Sequence, residues 1–301
     1  MILIGENIHV ISKQVREALV YRDENFILNL IQMQKNMNYI DLNVGPAKNE
    51  LIGILPWLCK LVEDNSNLNI SFDTTNIEEM EKGLKSFRGK TFLNSTSKEE
   101  PKLSKMIDMS LKYNSNLIAL TMNEDGIPKT SDERLEIAFE IYEKCLENGI
   151  KAENLFFDPL VLPVCADQSQ GIEALNTIKM IKESFEPQAK TVIGLSNISN
   201  GAMQRPVLNR TFAALAHGAG LDAAIIDAKD LELIRIIKML EEEKPEFERD
   251  CVYLRLANMM KNFEEIENVE FDKKSVEQNQ IIKAAMVLLN REVYSHSFTQ
   301  I

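Results

Sequence analysis

Cysteine is scarce and scattered in this sequence. Cys59, Cys145, Cys165 and Cys251 form no CxxC pair, which argues against a zinc site or a disulfide framework and leaves reduced, mostly buried thiols. No apolar run approaches the roughly 20 residues that a membrane span needs, and Met1–Val10 lacks the basic start and apolar centre of a signal peptide. A cytoplasmic chain with no membrane association is expected. Positive charge is short as well: a net charge of -12 argues against a surface that grips nucleic-acid phosphates with clustered Lys and Arg.

What is present is a repeated alternation of short apolar runs and helical stretches. Candidate strands are Ile2–Ile4, Tyr39–Asn43, Asn69–Asp73, Thr91–Asn94, Leu117–Met122, Leu155–Asp158, Thr191–Leu195 and Ala223–Asp227, each reading as a buried parallel strand. Eight is the number that closes a barrel, and a chain of 301 residues is long enough for an α/β barrel forming one domain over 1–301. Between the strands, helical periodicity marks Leu51–Val62 after Asn49, Ile77–Leu84 after Asn76, Leu135–Cys145 after Ser131 and Pro206–Ala216, with Gly149 as a C-terminal cap.

The pattern changes after the helix expected at Leu231–Leu240. The segment Glu241–Glu277 carries 12 acidic and 6 basic residues, with an apolar but irregular stretch up to Met260, and reads as an acidic insertion or helical extension near the C-terminus. A regular helix, Gln280–Asn290, then offers Ile281, Ala285 and Leu288 to the barrel wall.

Several strands end on a carboxylate or amide: Asp73, Asn94, Asp158 and, just beyond the seventh, Asn197. Such groups at one barrel rim are costly to bury unless they converge on a partner. Acceptors and an amide together suit a planar ligand rich in N–H donors, such as an aminopyrimidinone ring. Two local readings compete: Asp73 as the cap of the next helix, and Asn94 as the organiser of the turn NSTS.

The strings IGENIH (Ile4–His9), DLNVGPA (Asp41–Ala47), SFDTTN (Ser71–Asn76), FLNSTS (Phe92–Ser97), LTMNEDGIPKT (Leu120–Thr130), FFDPLVLPV (Phe156–Val164), GLSNIS (Gly194–Ser199) and RPVLNRTF (Arg205–Phe212) resemble the pterin-binding methyltransferases that move a methyl group between tetrahydrofolate and a corrinoid protein. The likeness covers about Met1 to Asp230 and resumes at the final helix. It implies a TIM-type (β/α)8 barrel. Asp73, Asn94 and Asp158 would hold the pterin, and Asn197 would act at N5 by stabilising charge as the C–N bond breaks. Met122 and Asn123 would line the same pocket, Glu6 and Asn43 would orient it, and Asn200 and Arg205 would join the substrate-binding set. Tetrahydrofolate or 5-methyltetrahydrofolate would be substrate, a corrinoid protein the partner, and a homodimer the assembly. The corrinoid would reside on the partner, because no DxHxxG-like motif occurs here.

His9 stands where that family commonly has Asn, and Asn200 where Gln is common, which leaves the direction of transfer open. A dihydropteroate synthase-like transferase and a non-catalytic folate-binding module are the alternative functions. The former lacks its characteristic basic elements for the second substrate and pyrophosphate in this sequence.

Overall fold

The computed structural model describes residues 1–298. Among these, eight strands, β1 (Ile2–His9), β2 (Tyr39–Gly45), β3 (Asn69–Thr74), β4 (Thr91–Thr96), β5 (Asn116–Leu120), β6 (Leu155–Asp158), β7 (Lys190–Gly194) and β8 (Ala223–Ile226), form a closed barrel in sequence order. Every neighbouring pair is parallel, and Ile2–Gly5 of β1 lie beside Ala223–Ile226 of β8, which closes the ring. The expected TIM-type barrel is the architecture.

Helices α1 (Lys13–Tyr21), α2 (Glu24–Met33), α3 (Ile54–Asn65), α4 (Ile77–Ser86), α5 (Lys102–Tyr113), α6 (Ser131–Glu147), α7 (Ser169–Ser184) and α8 (Arg205–Gly218) connect the strands, and α9 (Leu231–Glu242), α10 (Glu248–Asn262) and α11 (Val276–Leu288) follow the last one. Side-chain caps fix several starts. Asn76 accepts from Glu79 N at 3.1 Å, and Asp230 from Leu233 N at 3.0 Å, each satisfying a backbone donor that the first turn leaves unpaired. Helix α6 starts earlier than expected, on a capping box made by Thr130 and Glu133. The α4 cap is Asn76, so Asp73 is free of that duty.

The barrel interior is stoppered toward the strand N-termini by Ile4, Tyr39, Phe92, Ile118, Phe156, Val192 and Ala223. Edge-on ring contacts knit it together, with Tyr39–Phe92 centroids 4.7 Å apart and Phe92–Phe156 4.8 Å apart. Alternation along a strand returns the same face every second residue. Two positions beyond the stopper residues come Glu6, Asp41, Asn94 and Asp158, so the interior changes from apolar to acidic within one repeat.

Strand β1 runs five residues past its expected end. The polar letters Glu6 and Asn7 hide that continuation, and the register against β2 shifts between Gly5 and Ile8. Gly5 admits the buried Gln34 there, since a Cβ at this position would sit 2.2 Å from Gln34 Oε1.

The stretch expected to be irregular before Met260 is helix α10. It buries Val252, Leu256, Ala257 and Met259 and lies against α8 so closely that a Cβ on Gly218 would fall 2.1 Å from the Ala257 carbonyl oxygen. Part of the acidic excess is used in ion pairs: Arg235 reaches Asp250 at 2.7 Å and Glu232 at 2.8 Å, and Arg249 reaches Glu232 at 3.1 Å. These bonds tie α10 to α9. Helix α11 starts at Val276, capped by Ser275, and buries Ile281, Ala285, Val287 and Leu288.

Candidate active site

At the C-terminal ends of the strands lies an open cavity of about 890 Å³, on the face where barrels of this kind carry their sites. Glu6, Asn43, Asp73, Asn94 and Asp158 line it from β1, β2, β3, β4 and β6. Asn197, Asn200 and Arg205 line it from the 3-10 turn Leu195–Ser199 and the start of α8. Eight of the ten residues singled out in the sequence are therefore brought together.

Met122 and Asn123 are the exceptions and do not line this cavity. Strand β5 stops at Leu120, and the chain turns away into a loop where Asn123 pairs with Gly126 and its side chain accepts from Asp125 N at 2.9 Å. The amide serves the turn rather than the barrel mouth.

The acids in the cavity are paired with amides. Asn94 Nδ2 donates to Asp41 Oδ1 at 3.2 Å, and Asn43 Nδ2 donates to Asp73 Oδ2. Burial pushes Asp73 up to about 6 against these bonds. Burial also raises Asp41 well above the usual carboxylate range, and the charge of Asp73 adds to the effect. Burial lifts Asp158 to about 6; the Leu160 N–H, 2.8 Å from Oδ1, and the more distant Arg134 charge oppose it. Glu6 is pushed up to about 7 by burial, with Asp227 and Asp41 adding repulsion, while the Ser196 hydroxyl and Arg205 favour its charged form. These are carboxyls short of donors, a setting that favours a ligand bringing N–H groups.

The mouth is organised differently. Arg205 Nη2 donates to Asn200 Oδ1 at 2.8 Å, and Asn200 Nδ2 donates to Asn197 Oδ1 at 3.3 Å. Arg205 Nε is also held by Ser199 Oγ at 3.1 Å. This relay fixes which way the Asn197 amide faces, and its nitrogen lies where a Cβ on Gly194 would stand 2.8 Å away. Both Asn197 and Asn200 are exposed at the opening.

Sequence reasoning passed over Asp41, Asp227 and Lys229, which also line the cavity. Asp41 carried a usable signal, since it lies two residues before Asn43 and so on the same face of β2. Asp227 is placed by Asn7, whose Nδ2 donates to it at 2.6 Å, a bond across 220 residues with no local signature. His9 joins the lining, and burial lowers its basicity. Among the described residues, no group of three or more His, Cys, Asp or Glu could hold a metal ion, and no helix is long and apolar enough to cross a membrane.

Residues 41–227 match the family described as pterin binding enzyme. The methionine synthase of Mycobacterium tuberculosis is 29% identical over 287 residues, covering 88% of this chain and 24% of that protein. The methionine synthase of Mycobacterium leprae is 28% identical, with 85% and 22% covered. This chain thus spans about a quarter of those two relatives. The methylcorrinoid:tetrahydrofolate methyltransferase of Eubacterium limosum is 24% identical, and the match covers 79% of this chain and 89% of that one. Among solved structures, a Clostridium difficile dihydropteroate synthase with pteroic acid superposes with a TM-score of 0.59 at 17% identity, covering 80% of this chain and 96% of that chain. A Yersinia pestis dihydropteroate synthase with a sulfonamide gives 0.57 at 12%, covering 81% and 94%. At such identities the likeness concerns the fold.

Proposed function

The chain belongs to the pterin-binding enzymes, and from that premise we propose that it transfers a methyl group between N5 of tetrahydrofolate and the cobalt of a corrinoid protein. The observation that carries this reading is the division of one cavity into a donor-seeking acidic floor and an amide held at its mouth. A pterin seated with its amino and ring N–H groups on Asp73 and Asp158 leaves the opposite edge toward Asn197. The relative of matching length, named methylcorrinoid:tetrahydrofolate methyltransferase, supports the same chemistry.

The residues divide the work between binding and stabilisation. Asp158 and the Asp41–Asp73 pair accept hydrogen bonds from the pterin, and their charge-assisted character gives both strength and orientation. Asn43 and Asn94 set the two acids at the required angle. Asn197, locked through Asn200 by Arg205, offers its amide to N5, where charge develops as the C–N bond breaks or forms. The corrinoid, on its partner protein, supplies or accepts the methyl group at the open rim. One ground-state pocket serves both directions. The same reading takes the enzyme to work in the cytoplasm and as a homodimer, which sedimentation velocity tests.

Mixing the protein with tetrahydrofolate and a methylated corrinoid protein, or with 5-methyltetrahydrofolate and a reduced corrinoid protein, and following the cobalt absorption spectrum, is the direct test. Methyl transfer in either direction supports the reading. Tight folate binding without a spectral change in either direction removes it, and formation of a pteroate from a pterin pyrophosphate and p-aminobenzoate replaces it with a dihydropteroate synthase-like activity.

A further inference from the structure

Removing a methyl group from N5 leaves an electron pair on nitrogen that must take up a proton, and the Asn197 amide has none to give. A proton carrier in the same cavity is required by the balance of the reaction. Asp158, Asp41 and Asp73 stand on the floor, committed to the pterin edge. Glu6 shares the layer of Asp41 and Asp158, one repeat above the stopper, but stands on the β1 side of the ring, where it faces the hydroxyl of Ser196, the residue before Asn197.

We propose that Glu6 is a catalytic residue: its carboxyl delivers a proton to folate N5 as the methyl group leaves and recovers it when the transfer runs backward. This assignment rests on the methyl-transfer reading and adds the proton path to it. In the demethylating direction the N5–C bond breaks, the methyl group goes to the corrinoid, whose cobalt supplies the pair for the new bond, and the pair left on N5 takes the Glu6 proton. A carboxylate remains and is reprotonated from solvent through the open mouth. In the methylating direction the N5 pair forms the bond to carbon, the methyl group's bond to the corrinoid breaks with its pair staying on the cobalt, and the N5 proton passes to the carboxylate.

The surroundings suit the task. Asp41 from β2 and Asp227 from just past β8 both oppose ionisation of Glu6, while Arg205 from α8 and the Ser196 hydroxyl moderate them; burial has the largest influence and pushes the group up to about 7. His9, on the same strand, also lines the cavity, and burial lowers its basicity against the pull of Asp227. A carboxyl poised near the working pH can both give and regain a proton, the condition under which general acid catalysis is efficient.

Three measurements on the full chain test the assignment. First, in folate-free protein, the infrared absorption of protonated carboxyls should contain a component that titrates near pH 7 in the unaltered protein and is missing in Glu6→Gln. Second, single-turnover demethylation of 5-methyltetrahydrofolate should slow as pH rises through that range; Glu6→Gln should be slower by about 10²- to 10⁴-fold and lose this pH dependence, with folate affinity little changed, and Glu6→Asp should restore part of the rate. Third, Asp227→Asn, which removes one repulsive charge, should move the midpoint to lower pH. Normal transfer by Glu6→Gln with an unchanged pH profile overturns the assignment alone. No transfer by the unaltered protein overturns the reading beneath it, and the assignment with it.

Discussion

Asp158 offers a sharp test of how this site trades stability for binding. Its carboxyl is held at about 6 instead of 3.8, chiefly because burial disfavours its charge. That displacement corresponds to about 3 kcal/mol of folding free energy at pH 8. The folded-state value lies above the unfolded one, so the favourable contribution is complete below about pH 4 and is lost as pH rises to about 6. Asp158→Asn keeps the shape and the acceptor for Leu160 N–H but never ionises. The variant should therefore be more stable than the unaltered protein at pH 8, by about 3 kcal/mol or a melting shift on the order of 5 °C, and the difference should shrink toward zero near pH 4. Because the comparison is between two proteins at each pH, other titrating groups largely cancel. Urea unfolding across pH 4 to 8 gives the measurement, with folate affinity followed in parallel and expected to fall at least tenfold on loss of a charge-assisted bond, about 1.5–3 kcal/mol. If Asp158→Asn is no more stable at pH 8, burial is not what perturbs this carboxyl and the donor-seeking floor must be reconsidered.

Asn197→Ala should lower the single-turnover methyl-transfer rate more than it weakens folate binding, and equal losses in both would make it an ordinary binding residue. Folate binding should release protons below about pH 6, because new N–H partners favour the charged form of Asp158 and Asp73; calorimetry in buffers of different ionisation enthalpy measures this, and zero net exchange at pH 5.5 contradicts it. Leu256→Ala in α10, a fully buried contact, should cost about 2–5 kcal/mol, and unaltered denaturation would mean that α10 detaches freely. Gly218→Ala should also destabilise, since the new Cβ meets the Ala257 carbonyl rather than a yielding side chain.

The barrel was legible because each strand announces itself locally, as a run of β-branched and apolar residues followed by a turn. All eight strand starts fall within one residue of the expected position, and β1 differs most in where it stops. Its continuation through Glu6 and Asn7 was hidden because those polar residues face a cavity that only closure of the barrel creates. Asp158 and Asn197 could be found from their positions at strand ends. Asp227 could not, since its place depends on Asn7 at the far end of the chain. Helix α10 was obscured by its charges, some of which are buried partners in ion pairs rather than a solvated face, as Asp250 illustrates. Met122 misled because the apolar run continues two residues beyond the last paired position of β5.

The aromatic stopper built on Tyr39, Phe92 and Phe156 has a kinetic consequence. It closes the barrel's far end, so among the described residues the cavity opens at the rim alone, and a protein seated over that opening would block the path of a ligand. On the proposed methyl-transfer reading, folate enters before the corrinoid protein arrives and leaves after it departs, an obligatory order of addition. Excess corrinoid protein should therefore slow folate release in stopped-flow chase experiments, whereas dissociation at the same speed with or without the partner would mean that a second exit exists.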